Sequence, residues 1–347
     1  MATSTIVVNG VHRYYTIVNP QLINNTLKDV LLCFPGGGQT DLTFIQSTGL
    51  ITIKNLCIIS FLGQRSANTY TFQNAFPWLY KDSYQNDVQF VDSVLAAKFG
   101  INIPQNIFLT GMSDGAGFSI LYSWLSEYKS NIKGIGICSD AHFGLHSKTN
   151  YGVFDINNSF VGTNNTVIPY NIILPPSNIS LFVMHGSADP VMPYTGQTYK
   201  NTSALNAVNN TLWKTIDPSV SASLLQCNTY TPPIFQTGYY NSVATNNNLR
   251  NRPTPTTMKI QNCYFYVYSN RTTNVVMNVI RINGQHHSWS GYPRLTSYSK
   301  HSKSANKYLD ATYLILRFFD LNLTTNYIPV INPTLPSNLL KYNNTPF

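Results

Sequence analysis

Short uninterrupted apolar runs recur along the chain. Val30-Leu31-Leu32-Cys33-Phe34, Leu56-Cys57-Ile58-Ile59-Ser60, Ile107-Phe108-Leu109-Thr110, Ile132 to Cys138 and Leu181-Phe182-Val183-Met184 have strand length without polar alternation. That is the pattern of strands covered on both faces of a sheet. Between them lie segments with helical spacing. Asp41 to Lys54 is expected as a helix capped by Asp41, Asp87 to Phe99 brings Val88, Val91, Leu95 and Phe99 onto one face, and Ala116 to Tyr128 reads as a third helix. Strand and helix in alternation predict a mostly parallel, doubly wound α/β sheet. The amino-terminal runs Thr5 to Val8 and Tyr14 to Val18 alternate instead, and predict an antiparallel hairpin. Later strands are expected at Cys263 to Tyr268 and Val275 to Ile282, with helices over Ser203 to Ile216 and Asn306 to Phe319. Residues 150–178, dominated by Asn, Ser and Pro, and 217–260, without clear periodicity, read as insertions or lid segments of a single domain spanning 1–347.

Composition narrows the partners. Only 10% of residues are charged, and the net charge of +9 reflects a shortage of acids, 13, more than the 22 Lys and Arg. The basic residues are scattered, and the densest run, Lys300-His301-Ser302-Lys303, reads as a solvated face, so no nucleic-acid partner is expected. No stretch approaches the roughly 18 apolar residues of a membrane span. Met1-Ala2-Thr3-Ser4 leads straight into the strand pattern, which points away from a secretory leader and towards a protein acting inside a cell or a virion. Cys33, Cys57 and Cys138 lie in or beside apolar runs and read as buried thiols, whereas Cys227 and Cys263 are the two that a disulfide would join. No Cys/His spacing suggests a metal, and no cofactor is implied.

The chemistry centres on Gly111-Met112-Ser113-Asp114-Gly115, set between an apolar strand and a helix. G-x-S-x-G in that setting is a nucleophile elbow: the turn is so tight that the residues two before and two after the serine must lack side chains. Ser113 then stands at a helix N-terminus, where developing negative charge is favoured. The loop Pro35-Gly36-Gly37-Gly38 follows a buried strand and leaves backbone N–H groups open, as an oxyanion-binding loop requires. A serine nucleophile also needs a base and an acid that orients it. The acid must follow a strand after the elbow, which leaves Asp140 and Asp189, and the Gly/Ser turn before Pro190 favours Asp189. Asp82, Asp92 and Asp310 read as surface charges or caps. The base must come after the acid; His301 sits in a polar run, and spacing leaves His286 and His287 open.

These residues fall into blocks that resemble the esterase and depolymerase group of α/β-hydrolases, which includes polyhydroxyalkanoate depolymerases and feruloyl esterases. Asn86-Asp87-Val88-Gln89-Phe90 is similar to D-D-V-x-F, Thr110 to Gly117 to T-G-x-S-x-G-G, and His185 to Tyr194 to H-G-x-x-D-x-x-V-P-Y. His287 to Gly291 is similar to H-T-W-P-G, and Leu309-Asp310-Ala311-Thr312 with Phe318-Phe319 to the closing helix of that group. The resemblance implies an α/β-hydrolase fold and a triad of Ser113, Asp189 and His287. It also implies oxyanion donors from the backbone of Gly37 and Asp114, and an ester substrate, polymer-linked in kind (a polyester or an acylated polysaccharide). Trp289 and Trp78 are expected to line the substrate. The chain departs from the group in having Pro35 where His is usual, His286 where Gly is usual, and Asp114 directly after the nucleophile. The rival expectation is a hydrolase fold recruited as a non-catalytic structural or glycan-binding protein; a peptidase is weaker, because nothing in the sequence suggests a peptide-binding edge.

Overall fold

The computed structural model describes residues 1–24, 26–66, 69–72, 84–139, 153–154, 160–162, 179–190, 199–200, 229–230, 250–251, 263–269, 276–291 and 309–321. One sheet organises them. Its strands are β1 (Ala2–Val8), β2 (Val11–Val18), β3 (Asp29–Phe34), β4 (Cys57–Phe61), β5 (Asn106–Met112), β6 (Ile132–Cys138), β7 (Ser180–Gly186), β8 (Arg250–Asn251), β9 (Cys263–Ser269) and β10 (Val276–Ile282). They form a 10-stranded sheet in the order β1-β2-β4-β3-β5-β6-β7-β10-β9-β8. The centre from β4 to β10 is parallel throughout. The hairpin β1/β2 closes one edge and β9/β8 the other, all antiparallel. With the serine turn at the end of β5, in the middle of the sheet, this is the α/β-hydrolase fold.

The apolar runs are uninterrupted because both faces of the sheet are covered. Neighbouring residues of a strand point to opposite faces, and Leu31 and Leu32 accordingly belong to different cores. On one face Leu32, Leu109, Ile135 and Val183 meet Val91 and Leu95 of helix α2 (Tyr84–Phe99) and Phe118 and Tyr122 of α3 (Asp114–Leu125). On the other, Leu31, Phe108, Phe182 and Ile280 meet Phe44 and Ile45 of α1 (Asp41–Ser47) and Leu314, Ile315 and Phe318 of α4 (Ala311–Phe318). The amino-terminal hairpin is locked on by a buried ion pair between Arg13 of β2 and Asp87 of α2. The Arg13 guanidinium also lies 4.3 Å from the centre of the Phe90 ring. Among the described residues no helix is long and apolar enough to cross a membrane. Cys33, Cys57 and Cys138 are buried free thiols, and burial pushes Cys57 up to about 12.

Several boundaries differ from the sequence expectation for identifiable reasons. Helix α1 is capped by Thr40, whose hydroxyl accepts from the Thr43 N–H in a capping box; Asp41 is its first helical residue and accepts from the Thr16 hydroxyl at 2.6 Å. The helix ends near Gly49, at φ 77, well short of Lys54, and a short 3-10 turn (Leu50–Thr52) follows. Helix α4 begins at Ala311 because Asp310 caps it, accepting from the Tyr313 N–H at 3.0 Å. The segments 150–178 and 217–260 lie outside the described residues apart from short strand pairs, as do the helix expected over 203–216, Trp78, Asp140, His301 and Cys227.

Asp92 is the clearest correction. Expected as a surface charge or a cap, it is buried, and its carboxylate accepts from the Tyr122 and Ser126 hydroxyls, both at 2.7 Å, and from the Glu127 N–H at 3.0 Å. These bonds hold Ser126 in extended geometry and stop α3 at Leu125 rather than Tyr128. Burial nevertheless raises the Asp92 carboxyl above its usual range, outweighing the hydrogen bonds that favour the charged form. The folded chain therefore binds this proton more readily than the unfolded chain, and the associated stability is lost as pH rises through the folded-state value. Asp92→Ala should cost about 2–4 kcal/mol at pH 7 by stranding three donors. Relative to Asp92→Asn, the wild type should gain in urea midpoint as pH is lowered from 7 towards about 4. A difference that is flat with pH would count against this account.

Candidate active site

The carboxyl ends of β5, β7 and β10 share one edge of the sheet, since the three strands are parallel. Ser113 leaves β5 with φ 53 and ψ −121, a left-handed backbone that a serine adopts only under constraint. The constraint is steric. A Cβ on Gly111 would lie 2.4 Å from the Gly115 carbonyl oxygen, and one on Gly115 would lie 1.9 Å from that of Phe34. The two glycines thus let the turn close on itself and let α3 settle against the end of β3. The Ser113 N–H donates to the Cys138 carbonyl at 3.2 Å, and its own carbonyl accepts from Ala116 and Gly117 at 2.9 and 3.1 Å, opening α3.

The glycine loop after β3 abuts this turn. Gln39 braces it from within: its N–H donates to the Gly36 carbonyl and its Oε1 accepts from the Gly36 N–H, both at 3.0 Å. A Cβ on Gly36 would come within 3.3 Å of the Ser113 Cβ. At Gly37 a Cβ would lie 2.5 Å from Asp114 Oδ2, so the carboxylate of Asp114 packs directly against the loop. Among the described residues the Gly37 N–H donates to nothing.

The loops after β7 and β10 are knitted together. Ser187 N–H donates to the Ile282 carbonyl at 2.8 Å, Ala188 N–H to that of Gln285 at 3.0 Å, and Gly284 N–H to the Ser187 hydroxyl at 3.0 Å. This brings His287 Nδ1 to 2.8 Å from Asp189 Oδ2. The Asp189 side chain is fully buried and that of His287 is 12% exposed. Of the two histidines that spacing left open, it is His287 that bonds the aspartate. Ser139 links this pair to the elbow. It follows Cys138, adopts φ 46, donates its N–H to the Met184 carbonyl at 3.0 Å, and has its hydroxyl 3.5 Å from the Ser288 carbonyl. Gln285 adds a second brace, donating to the same Ser288 carbonyl at 3.2 Å and accepting from the Ser290 hydroxyl at 2.5 Å.

Trp289 departs from expectation. Expected against substrate, it is buried: its indole N–H donates to the Thr312 hydroxyl at 3.0 Å, and its ring meets Phe44 edge-on at 5.4 Å. Thr312 in turn donates to the Thr48 carbonyl at 2.5 Å, so the tryptophan fastens the histidine loop to α4 and α1. Sequence reasoning assigned no role to Ser139, Gln285 or His185. Only His185 carried a signal, as the first residue of the H-G-x-x-D block. Among the described residues no group of three or more His, Cys, Asp or Glu side chains is arranged to hold a metal.

No protein-family model matches the chain, and neither does any curated protein. Among solved structures, an acetyl xylan esterase from Aspergillus awamori is similar at 11% identity, covering 83% of this chain and 94% of that one, with a TM-score of 0.45. A CE1 ferulic acid esterase from Anaeromyces mucronatus, in complex with ferulic acid, is similar at 12% identity over 83% of this chain and 84% of that one, with a TM-score of 0.42. A Staphylococcus aureus protein of unknown function is 18% identical over 40% of this chain, with a TM-score of 0.30, and this chain spans 46% of its length.

Gly115→Ala should cost more than about 3 kcal/mol, because the obstacle to its methyl group is backbone, whereas Gly36→Ala, facing contacts of 3.3 Å, should cost well under half of that. Chemical denaturation of the two variants checks the order, and equal losses would contradict the steric account.

Proposed function

We propose that the protein is a carboxylic-ester hydrolase working through an acyl-enzyme. One observation carries the reading: Ser113 is held in a strained turn at the same sheet edge on which a buried aspartate anchors an accessible histidine. A fold does not by itself need either feature. In this reading Ser113 Oγ attacks the ester carbonyl while His287 Nε2 takes its proton and then delivers it to the leaving alcohol. Asp189, bonded to Nδ1, keeps Nε2 free for that exchange and stabilises the imidazolium. The N–H groups of Gly37 and Asp114 receive the oxyanion, each such donor being worth on the order of 3 kcal/mol. Water then attacks the acyl-enzyme by the same route.

The Asp114 carboxylate opposes a second negative charge beside it, and the dipole of α3 offsets that opposition. The substrate class we propose is a polymer-linked ester, a polyester or an acylated polysaccharide. It rests on the likeness of the five sequence blocks to the polyhydroxyalkanoate depolymerase and feruloyl esterase group.

A fluorophosphonate probe followed by mass mapping should place the adduct on Ser113, and Ser113→Ala should abolish both labelling and turnover of a short acyl-nitrophenyl ester. Well-folded protein that takes no label would favour a non-catalytic scaffold. His287→Ala should lower kcat/KM at least about 100-fold, the usual worth of a general base, while His286→Ala changes it only about threefold. The opposite ranking would move the base to His286.

A further inference from the structure

One oxygen of Asp189 faces two imidazoles. Oδ2 lies 2.8 Å from His287 Nδ1 and 3.5 Å from His185 Nε2, and the side chains of Asp189 and His185 are both 0% exposed. A carboxylate without water must be balanced by donors or positive charge in the protein. The two histidines are held differently. His287 stands on a loop, while His185 is the next-to-last residue of β7, one residue beyond the end of the pairing with β6 at Met184 and registered against Arg281 of β10. The turn joining His185 to Asp189 is closed by the Asp189 N–H on the Gly186 carbonyl at 3.3 Å. His185 is thus the member of this trio fixed by the sheet itself. A histidine that merely filled space there would have no reason to aim a ring nitrogen at the acid.

We infer that His185 is a positioning residue: its Nε2–H edge holds the Asp189 carboxylate in the orientation that presents Oδ2 to His287 and takes up part of its charge. The charged and titratable groups that the described residues place about it are Asp189 on its own turn, His287 across that carboxylate, Arg281 beside it on β10, and Tyr264 of β9 under the Arg281 guanidinium. Its geometric part stands alone; its effect on rate rests on the ester-hydrolase reading.

The test compares wild type, His185→Leu and His185→Gln by the downfield proton resonance of His287 Nδ1–H, by the pH profile of kcat/KM, and by kcat and KM on an acyl-nitrophenyl ester. Loss of the donor should move or broaden the resonance. It should also raise the pH midpoint assigned to His287, since Asp189 then presents its full charge to that ring. We expect kcat to fall about 10-fold to 100-fold with KM within about twofold, as for a misplaced catalytic group. Glutamine, which keeps an N–H in reach, should restore most of all three. If leucine prevents folding, His185→Phe keeps the ring volume without the donor and serves in its place. A folded apolar variant with unchanged resonance, pH midpoint and kcat overturns the inference. If the wild type neither turns over ester nor takes the probe, the ester-hydrolase reading fails, while the resonance comparison still decides the role of His185.

Discussion

The left-handed backbone at Ser113 is the constraint around which the structure is arranged. A serine in that conformation costs on the order of 1–3 kcal/mol, and nothing in the pentapeptide itself repays it. The turn persists because it is clamped from two sides. The Phe34 carbonyl leaves no room for a side chain on Gly115, and the Cys138 carbonyl holds the Ser113 N–H. Both carbonyls end central parallel strands buried between two apolar layers. The cores therefore act on the site through strand ends, and the serine is as rigid as the sheet beneath it.

The second half of the site is built differently. Asp189 and His287 sit on turns, and their geometry comes from hydrogen bonds between the loops rather than from the ladder. Ser139 joins the halves, since its preceding residue holds the elbow while its own N–H and hydroxyl reach β7 and the histidine loop. Trp289 completes the arrangement by tying that loop into the opposite core through Thr312 and Phe44. An aromatic residue two positions after His287 reads naturally as a substrate wall, yet this one is a peg.

What could be read beforehand followed from local physics. The apolar runs announced buried strands because covering both faces leaves no polar alternation to confuse them with anything else. Gly111 and Gly115 announced the elbow because tight turns exclude side chains. Spacing cannot separate His286 from His287, since adjacent residues on a loop differ only in where the chain twists, and that twist is set by bonds to Ser187 and Ala188, far away in sequence. The burial of Asp92 is hidden from the sequence for a similar reason. A lone carboxylate on a helix is ordinarily solvated, and its partners Tyr122, Ser126 and Glu127 become visible only once α2 and α3 are packed. Thr40 and Asp41 are both good caps, and only the extended backbone of Thr40 distinguishes them.

The spread of these residues along the chain has a consequence for biosynthesis. The elbow needs only β3, β5 and β6, all present once Cys138 has been made, whereas the bond from His287 to Asp189 spans 98 positions and waits on β10. A ribosome delivering the chain from its amino end therefore supplies every strand that holds the serine turn long before the Asp189–His287 bond can form, so the two halves of this sheet edge are assembled in sequence and not together.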